Sequence, residues 1–166
     1  LTIRKFSQDP FTDADLIAQT AGAMRADIVA LPETTIETGE AVAIAMRDLG
    51  SPMWAHHENF GDREDFPDWA SNSTTLLISP DLGDYSVVSS TTDGESNTSQ
   101  VPTVVAMPVD GTGPVVVAVH AVAPRQSAMG DWQSDLEWLA DQCGSANVIM
   151  AGDFNATVDH MARLGT

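Results

Sequence analysis

The chain has 166 residues, of which 43% are hydrophobic, and this length and composition predict one compact domain. Its 24 acidic residues against 7 basic ones give a formal net charge of −17, which argues against tight, non-specific binding to duplex nucleic acid. No apolar run of about 18 residues is present, so this segment is not expected to span a membrane.

The first part of the chain alternates strand and helix patterns. In chain order, the predicted elements are a strand at Leu1–Phe6, a helix at Thr12–Arg25, an apolar strand at Asp27–Leu31, a helix at Glu37–Leu49 and a surface loop at His56–Trp69. The spacing of apolar residues predicts that Leu16 and Met24 of the first helix face the core. It predicts the same for Leu49 of the second helix.

The second part is richer in strands. The predicted elements are strands at Ser73–Ser79, Tyr85–Ser89, Thr103–Val109 and Val115–His120, a helix at Gly130–Gln142 and a strand at Asn147–Ala151. This order favours helices packed outside stacked sheets within a single domain over residues 1–166. The single cysteine, Cys143, excludes an internal disulfide and a cysteine-based zinc cluster, and it is interpreted as a small core residue.

Three apolar strand segments lead directly into polar side chains. DIVALPE ends in Glu33, VVVAVHAVAP contains His120, and NVIMAGDFNA contains Asp153 and Asn155. Buried strands are rigid supports for a site, and several acids with one histidine suit an oxygen-ligated cation such as Mg²⁺ better than zinc. The ordinary alternatives are a surface acid at Glu33, a buried core histidine at His120 and a helix N-cap at Asp153 and Asn155.

These segments together resemble the endonuclease/exonuclease/phosphatase superfamily, whose members are DNase I-like. The strand that ends in LPE, the strand that ends in His with Pro four residues later, and GDFNA follow one another in the family's order between about Leu1 and Asn155. The resemblance implies an α/β fold of stacked β-sheets in a four-layer α/β/β/α sandwich. It also implies hydrolysis of a phosphate ester with Mg²⁺ or Mn²⁺ as cofactor.

The resemblance also implies roles for individual residues. Glu33 matches the family's metal-binding glutamate, and Asp153 matches the aspartate that orients or deprotonates the attacking water. Asn155 matches the amide that holds the phosphate or the water, and His120 matches the histidine that contacts the scissile phosphate. Two further residues are candidates for substrate binding, namely Arg125 and Ser79.

The sequence departs from the family pattern in two places. The asparagine that normally ends the family's first strand is absent, and Asp9 is the carboxylate available there as a metal ligand. The family also continues well beyond GDFN to a closing Asp-His pair, and Asp159-His160 comes too soon after Asn155 to be that pair. The domain is therefore expected to be incomplete at its C-terminal end, and the 166-residue segment alone is expected to be inactive.

The leading hypothesis is a phosphoesterase that acts on a small or lipid-linked phosphate mono- or diester. The alternatives are an endonuclease that cuts DNA or RNA, and a degenerate domain that binds a partner without catalysis. The segments PETTIETGEAVA, HAVAPR and GDFNATVDHM resemble an actinobacterial subgroup of envelope phosphatases. Members of that subgroup often carry membrane segments ahead of the catalytic domain, so this resemblance implies an extracytoplasmic location.

Overall fold

Two β-sheets and three helices make up the part of the protein described by the computed structural model, residues 10–60, 70–88, 97–144 and 147–156. The helices are α1 (Pro10–Ala23), α2 (Ile36–Asp48) and α3 (Met129–Gln142). The strands are β1 (Ile28–Pro32), β2 (Trp54–Asn59), β3 (Ser73–Ile78), β4 (Tyr85–Val87), β5 (Val104–Pro108), β6 (Val115–His120) and β7 (Val148–Asp153). Short 3-10 turns occur at Ala70–Asn72 and Pro80–Leu82.

The strands form two separate sheets. The first has the order β1-β3-β2 and is antiparallel throughout. The second has the order β4-β5-β6-β7, in which β6 and β7 are parallel and the other pairs are antiparallel. A parallel pair requires a crossover connection, and α3 lies in the chain between β6 and β7 and supplies it.

Three buried clusters define the layers. The first joins α1 and α2 to the outer face of the β1-β3-β2 sheet, and the second lies between the two sheets. The third joins α3 to the outer face of β6 and β7. Their fully buried members include Val42, Met46 and Leu77 in the first, Ala30, Leu76 and Val104 in the second, and Val117, Val119 and Trp132 in the third. The four-layer α/β/β/α arrangement is therefore confirmed.

α2 and α3 begin within one residue of their predicted starts, whereas α1 begins at Pro10, two residues before the predicted Thr12, and part of the predicted inner face is wrong. The Thr35 side chain caps α2 by accepting a hydrogen bond from the Thr38 backbone N–H at 3.4 Å. Leu16 and Met24 are 58% and 62% exposed, and Leu49 is 56% exposed. The buried apolar residues of α1 are Ala14, Ile17, Ala18 and Ala21, three of which are alanines. Small side chains let α1 pack closely against α2.

Two other expectations are also corrected. The residues Trp54–Asn59 form β2, so the predicted surface loop is wrong for its first residues, while the rest of it, 61–69, lies outside the described residues. Cys143 is exposed at the C-terminal end of α3 and is not a core residue. Among the described helices, none is long and apolar enough to cross a bilayer. The predicted strand at Leu1–Phe6 lies outside the described residues.

Candidate functional site

The parallel pairing of β6 and β7 places His120 beside Asp153. The two residues are register partners at the carboxyl ends of their strands, and paired strands lie about 4.8 Å apart. The Ala121 backbone N–H donates to the Asp153 carbonyl at 2.9 Å, so the pairing extends one residue beyond the end of β6. The imidazole and the carboxylate are therefore carried by the two strands that α3 connects.

Asp153 and Asn155 are held by a tight turn that follows β7. The Asn155 backbone N–H donates to Asp153 Oδ1 at 2.9 Å, and the Asn155 side-chain Nδ2 donates to the Ala121 carbonyl at 2.7 Å. Asn155 has a positive φ of 48°, which is uncommon outside glycine and tolerated best by Asn and Asp. Because its amide nitrogen faces Ala121, the amide oxygen of Asn155 is directed away from β6.

Glu33 follows β1 at the same end of the sandwich. Its predecessor Pro32 is the register partner of Thr74, and the Thr74 hydroxyl lies 3.3 Å from His120 Nδ1. β1 packs against β6 and β7 across the interface between the sheets. Glu33 is half-buried and has a positive φ of 55°. Residues held in this region of backbone space are often found at functional sites, and Asn155 shares the feature.

His120 is both buried and oriented by its neighbours. The side chain contacts Thr74 through Nδ1, and the His120 backbone N–H donates to the Thr103 hydroxyl at 3.0 Å. Only 3% of the residue is exposed. A ring whose Nδ1 is engaged by a hydroxyl is held in one orientation, which presents Nε2 on its opposite edge.

The remaining candidate residues lie at the edge of this site, at the other end of the sandwich or outside the described residues. Arg125 is exposed in the loop that follows His120, at the same end of the sandwich. Ser79 is not brought to this end, because β3 runs antiparallel to β1 and the Ser79 N–H bonds the Asp27 carbonyl before β1 begins. Its hydroxyl instead accepts from the Asp81 N–H at 3.3 Å. Asp9 lies outside the described residues, as does Asp159-His160.

A family model described as the endonuclease/exonuclease/phosphatase family matches residues 6–165. The chain belongs to this family. The family's name joins endonucleases, exonucleases and phosphatases, all of which hydrolyse phosphate ester bonds. No curated protein matches the sequence.

Solved structures of the family share the fold at low sequence identity. A humanized TDP2 of D. rerio superposes with a TM-score of 0.65 at 12% identity over 99% of this chain, and a family protein from Leptotrichia buccalis superposes with 0.63 at 13% over 93%. The human nocturnin catalytic domain, solved with a bound sulfate anion, gives 0.52 at 13% over 88%. The present chain spans 64%, 65% and 58% of the length of those three chains.

The oxygen donors at this end of the family fold suit a hard cation. Within residues 10–60, 70–88, 97–144 and 147–156, no group of three or more His, Cys, Asp or Glu could hold a metal ion. Glu33, Asp153 and the amide oxygen of Asn155 lie at the same end of the sandwich. Mg²⁺ keeps several waters and is commonly held by one or two carboxylates. Carboxylate and amide oxygens are the donor types that hard divalent cations prefer, whereas zinc prefers nitrogen and sulfur.

Sequence reasoning missed three residues that share this face. Thr74 contacts His120, and Glu58 on β2 is the register partner of Thr74, so their side chains point to the same face of the sheet. His56, two residues before Glu58, points to that face as well, and burial lowers the pKa of His56. The available signal was the alternation along WAHHEN, which places His56 and Glu58 on one side of a strand.

If this site hydrolyses a phosphate ester, Thr74→Val is expected to lower kcat about tenfold with little change in KM, because His120 loses the hydroxyl that orients its ring. Nitrogen NMR shifts of the imidazole should show a mixture of tautomers in place of one. The matched control is Thr75→Val, since Thr75 faces α2 and bonds the Thr34 carbonyl. A Thr74→Val protein with normal kcat and a single tautomer would remove Thr74 from the site.

Proposed function

We propose that the protein carrying this chain is a Mg²⁺- or Mn²⁺-dependent phosphoesterase that hydrolyses a small or lipid-linked phosphate mono- or diester. The observation that carries the proposal is the juxtaposition of His120 and Asp153 on paired parallel strands, with Thr74 connecting His120 to the strand that precedes Glu33. An imidazole, a carboxylate and a second carboxylate at one strand end are the groups that metal-assisted attack of water on phosphorus requires.

Each side chain has a distinct task in this proposal. Asp153 orients the attacking water and accepts its proton as the new P–O bond forms, and the Asn155 amide holds the water or a phosphate oxygen. His120 contacts the scissile phosphate and donates a proton to the ester oxygen as the P–O bond to the leaving alcohol breaks. Glu33, together with the carboxylate of Asp153 and the amide oxygen of Asn155, would hold the metal ion. When bound, the ion would neutralise charge on the phosphate oxygens.

The charge of the chain supports a small or lipid-linked substrate. A formal charge of −17 repels the densely charged backbone of a duplex, whereas one or two phosphates present little charge to repel. Arg125, which is exposed in the loop beyond β6, is the basic residue proposed to contact the substrate.

The test is a substrate panel with the full-length protein and Mg²⁺ or Mn²⁺. The panel contains 4-nitrophenyl phosphate, bis(4-nitrophenyl) phosphate, a prenyl pyrophosphate and supercoiled plasmid. Metal-dependent release of phosphate or 4-nitrophenol, without nicking of the plasmid, is the expected result. Plasmid nicking as the main activity would replace the proposal with a nuclease, and no turnover with either metal would favour a non-catalytic binding domain.

Glu33→Gln is expected to weaken Mg²⁺ binding at least tenfold, because the neutral amide is a poorer ligand for a hard cation than a carboxylate. Titration calorimetry with MgCl₂ measures this without any substrate. Glu40→Gln is the matched control, since Glu40 is exposed on α2 and the substitution removes the same charge. Equal Mg²⁺ affinity in the Glu33→Gln and wild-type proteins would show that Glu33 is not a ligand.

We also propose that the protein belongs to the actinobacterial envelope subgroup and acts outside the cytoplasmic membrane. Support comes from the segments PETTIETGEAVA, HAVAPR and GDFNATVDHM. Fractionation of the source cells provides the test, with recovery in the membrane or extracytoplasmic fraction expected. Recovery in the cytosol alone would contradict this location.

A further inference from the structure

Asp135 is a buried carboxylate on α3 that has no role in the proposed hydrolysis. It is 2% exposed, and its two oxygens accept hydrogen bonds from two different segments. The Ser99 backbone N–H donates to Oδ1 at 2.6 Å, and the Val122 backbone N–H donates to Oδ2 at 2.8 Å. Burying a carboxylate is costly, and here two charge-assisted bonds to backbone N–H groups offset the cost.

The Ser99 contact fixes a loop that reaches His120. The Thr98 hydroxyl donates to the Val101 carbonyl at 2.5 Å and lies 3.1 Å from the Thr103 hydroxyl, which accepts the His120 backbone N–H at 3.0 Å. The Asn97 side chain closes the loop on itself by accepting from the Thr103 N–H at 2.9 Å. Hydrogen bonds within residues 97–103 therefore fold this loop so that one end, at Ser99, is held by Asp135 and the other, at Thr103, contacts the backbone of His120.

The Val122 contact fixes the segment that follows β6. The preceding residue, Ala121, bonds Asp153 through its N–H at 2.9 Å and accepts the Asn155 Nδ2 at 2.7 Å through its carbonyl. Asp135 thus holds the segment from His120 to Val122 at two points. It bonds Val122 directly, and it holds the loop whose Thr103 bonds the His120 backbone. The three consecutive residues include the histidine of the site and the backbone partner of both Asp153 and Asn155.

A second contact on α3 supports the same loop from outside. Gln100 Nε2 donates to Asp131 Oδ2 at 2.6 Å, one helical turn before Asp135. This pair is exposed, so it is expected to add little stability by comparison with the buried contacts. The buried Asp135 is the anchor, because losing its oxygens leaves the Ser99 and Val122 N–H groups unsatisfied.

We propose that Asp135 is a positioning residue that holds the end of β6 and the 97–103 loop in register, so that His120 and Asn155 meet the substrate at fixed positions. The proposal rests on the function proposed above and deepens it. A positioned group loses rate steeply when it is misplaced by a fraction of an ångström, although its own chemistry is unchanged.

The experiment compares Asp135→Asn with wild type in the full-length protein with Mg²⁺. The asparagine side chain has nearly the same shape but turns an NH₂ group toward one of the two N–H donors, so one hydrogen bond is lost. We expect kcat to fall about 10- to 100-fold, as when other supporting hydrogen bonds of a site are removed, with KM within about twofold. Amide hydrogen exchange at Ser99 and Val122 should become faster.

The matched control is Asp141→Asn, which removes the same charge from an exposed position of α3 and is expected to leave kcat, KM and exchange unchanged. A second variant, Thr103→Val, breaks the connection at the His120 backbone without altering α3. It is expected to lower kcat with KM preserved, and it serves as the test if Asp135→Asn does not fold.

The outcomes separate the two proposals. Wild-type kcat in either folded variant would overturn the positioning role of Asp135 while leaving the phosphoesterase intact. If wild type hydrolyses no phosphate ester, the proposed function fails, and exchange still decides whether Asp135 holds the two segments. Rapid exchange of the Ser99 and Val122 amides in wild type would overturn the positioning role by itself.

Discussion

Asp153→Asn is expected to lower kcat for phosphate ester hydrolysis by about 10³-fold or more while the protein stays folded. The substitution retains an oxygen that can accept the Asn155 N–H, so the turn after β7 persists. It removes the negative charge and the basicity that, in the proposed mechanism, activate the attacking water. The effect is measured as kcat and KM in the full-length protein at saturating Mg²⁺, together with the midpoint of urea unfolding.

Asp153→Ala separates the two tasks of this side chain. Alanine removes both the basic oxygen and the acceptor for the Asn155 N–H, so the variant is expected to lose stability as well as turnover. Asp84→Asn, at an exposed position before β4, controls for the loss of one negative charge. If Asp153→Asn retains kcat within a few-fold of wild type, Asp153 is not the base, and the assignment of this strand end as the reacting centre fails.

The strands that carry the site were predictable because burial leaves a strong mark on their sequence. IVALP and VVVAVH are continuous apolar runs of nearly wholly buried strands that end in a polar residue or are followed by one, whereas VIMAGD is similarly apolar in a strand that is only partly buried. Because these runs stop at or just before Glu33, His120 and Asp153, the sequence predicted that these three residues lie at the ends of strands. What the runs did not reveal is which strands pair, because pairing depends on contacts between residues far apart in the chain.

The location of Ser79 shows why the direction of a strand must be known before its end can be placed. Ser79 follows an apolar strand just as Glu33 does, so the sequence treats the two alike. Because β3 is antiparallel to β1, the start of β3 lies beside the end of β1, and the residue contributed to the site is Thr74. In the parallel pair β6 and β7, the carboxyl ends of the two strands lie side by side, and His120 is the register partner of Asp153.

Asp135 was overlooked for a different reason. In the α3 sequence, Trp132, Asp135 and Leu139 occupy one helix face and are all buried. A carboxylate within an apolar stripe is the sequence signal, because such a group must find hydrogen-bond donors in the folded state. The donors are backbone N–H groups of Ser99 and Val122, which leave no mark on the sequence and are visible only in the structure.

Gly152→Ala is expected to cost about 3 kcal/mol or more of unfolding free energy, the largest stability effect predicted for this chain. A Cβ at this position would lie 2.1 Å from the Val119 carbonyl oxygen and 2.6 Å from the Val119 nitrogen. Both atoms belong to the backbone of β6, so no side-chain rotation can relieve the overlap. The φ of 153° at Gly152 also disfavours any residue with a Cβ.

The location of this close approach links stability to the site. Val119 and Gly152 are register partners, and His120 and Asp153 are the next pair along the same two strands. Pushing β7 away from β6 to admit a methyl group would separate the imidazole from the carboxylate, so any folded Gly152→Ala protein should also lose most of its turnover. Gly130→Ala is the control, because a Cβ in the first turn of α3 meets nothing within 4 Å and should leave stability within about 1 kcal/mol of wild type. Equal urea midpoints for the two alanine variants would mean that β6 and β7 do not pair as closely as His120 and Asp153 require.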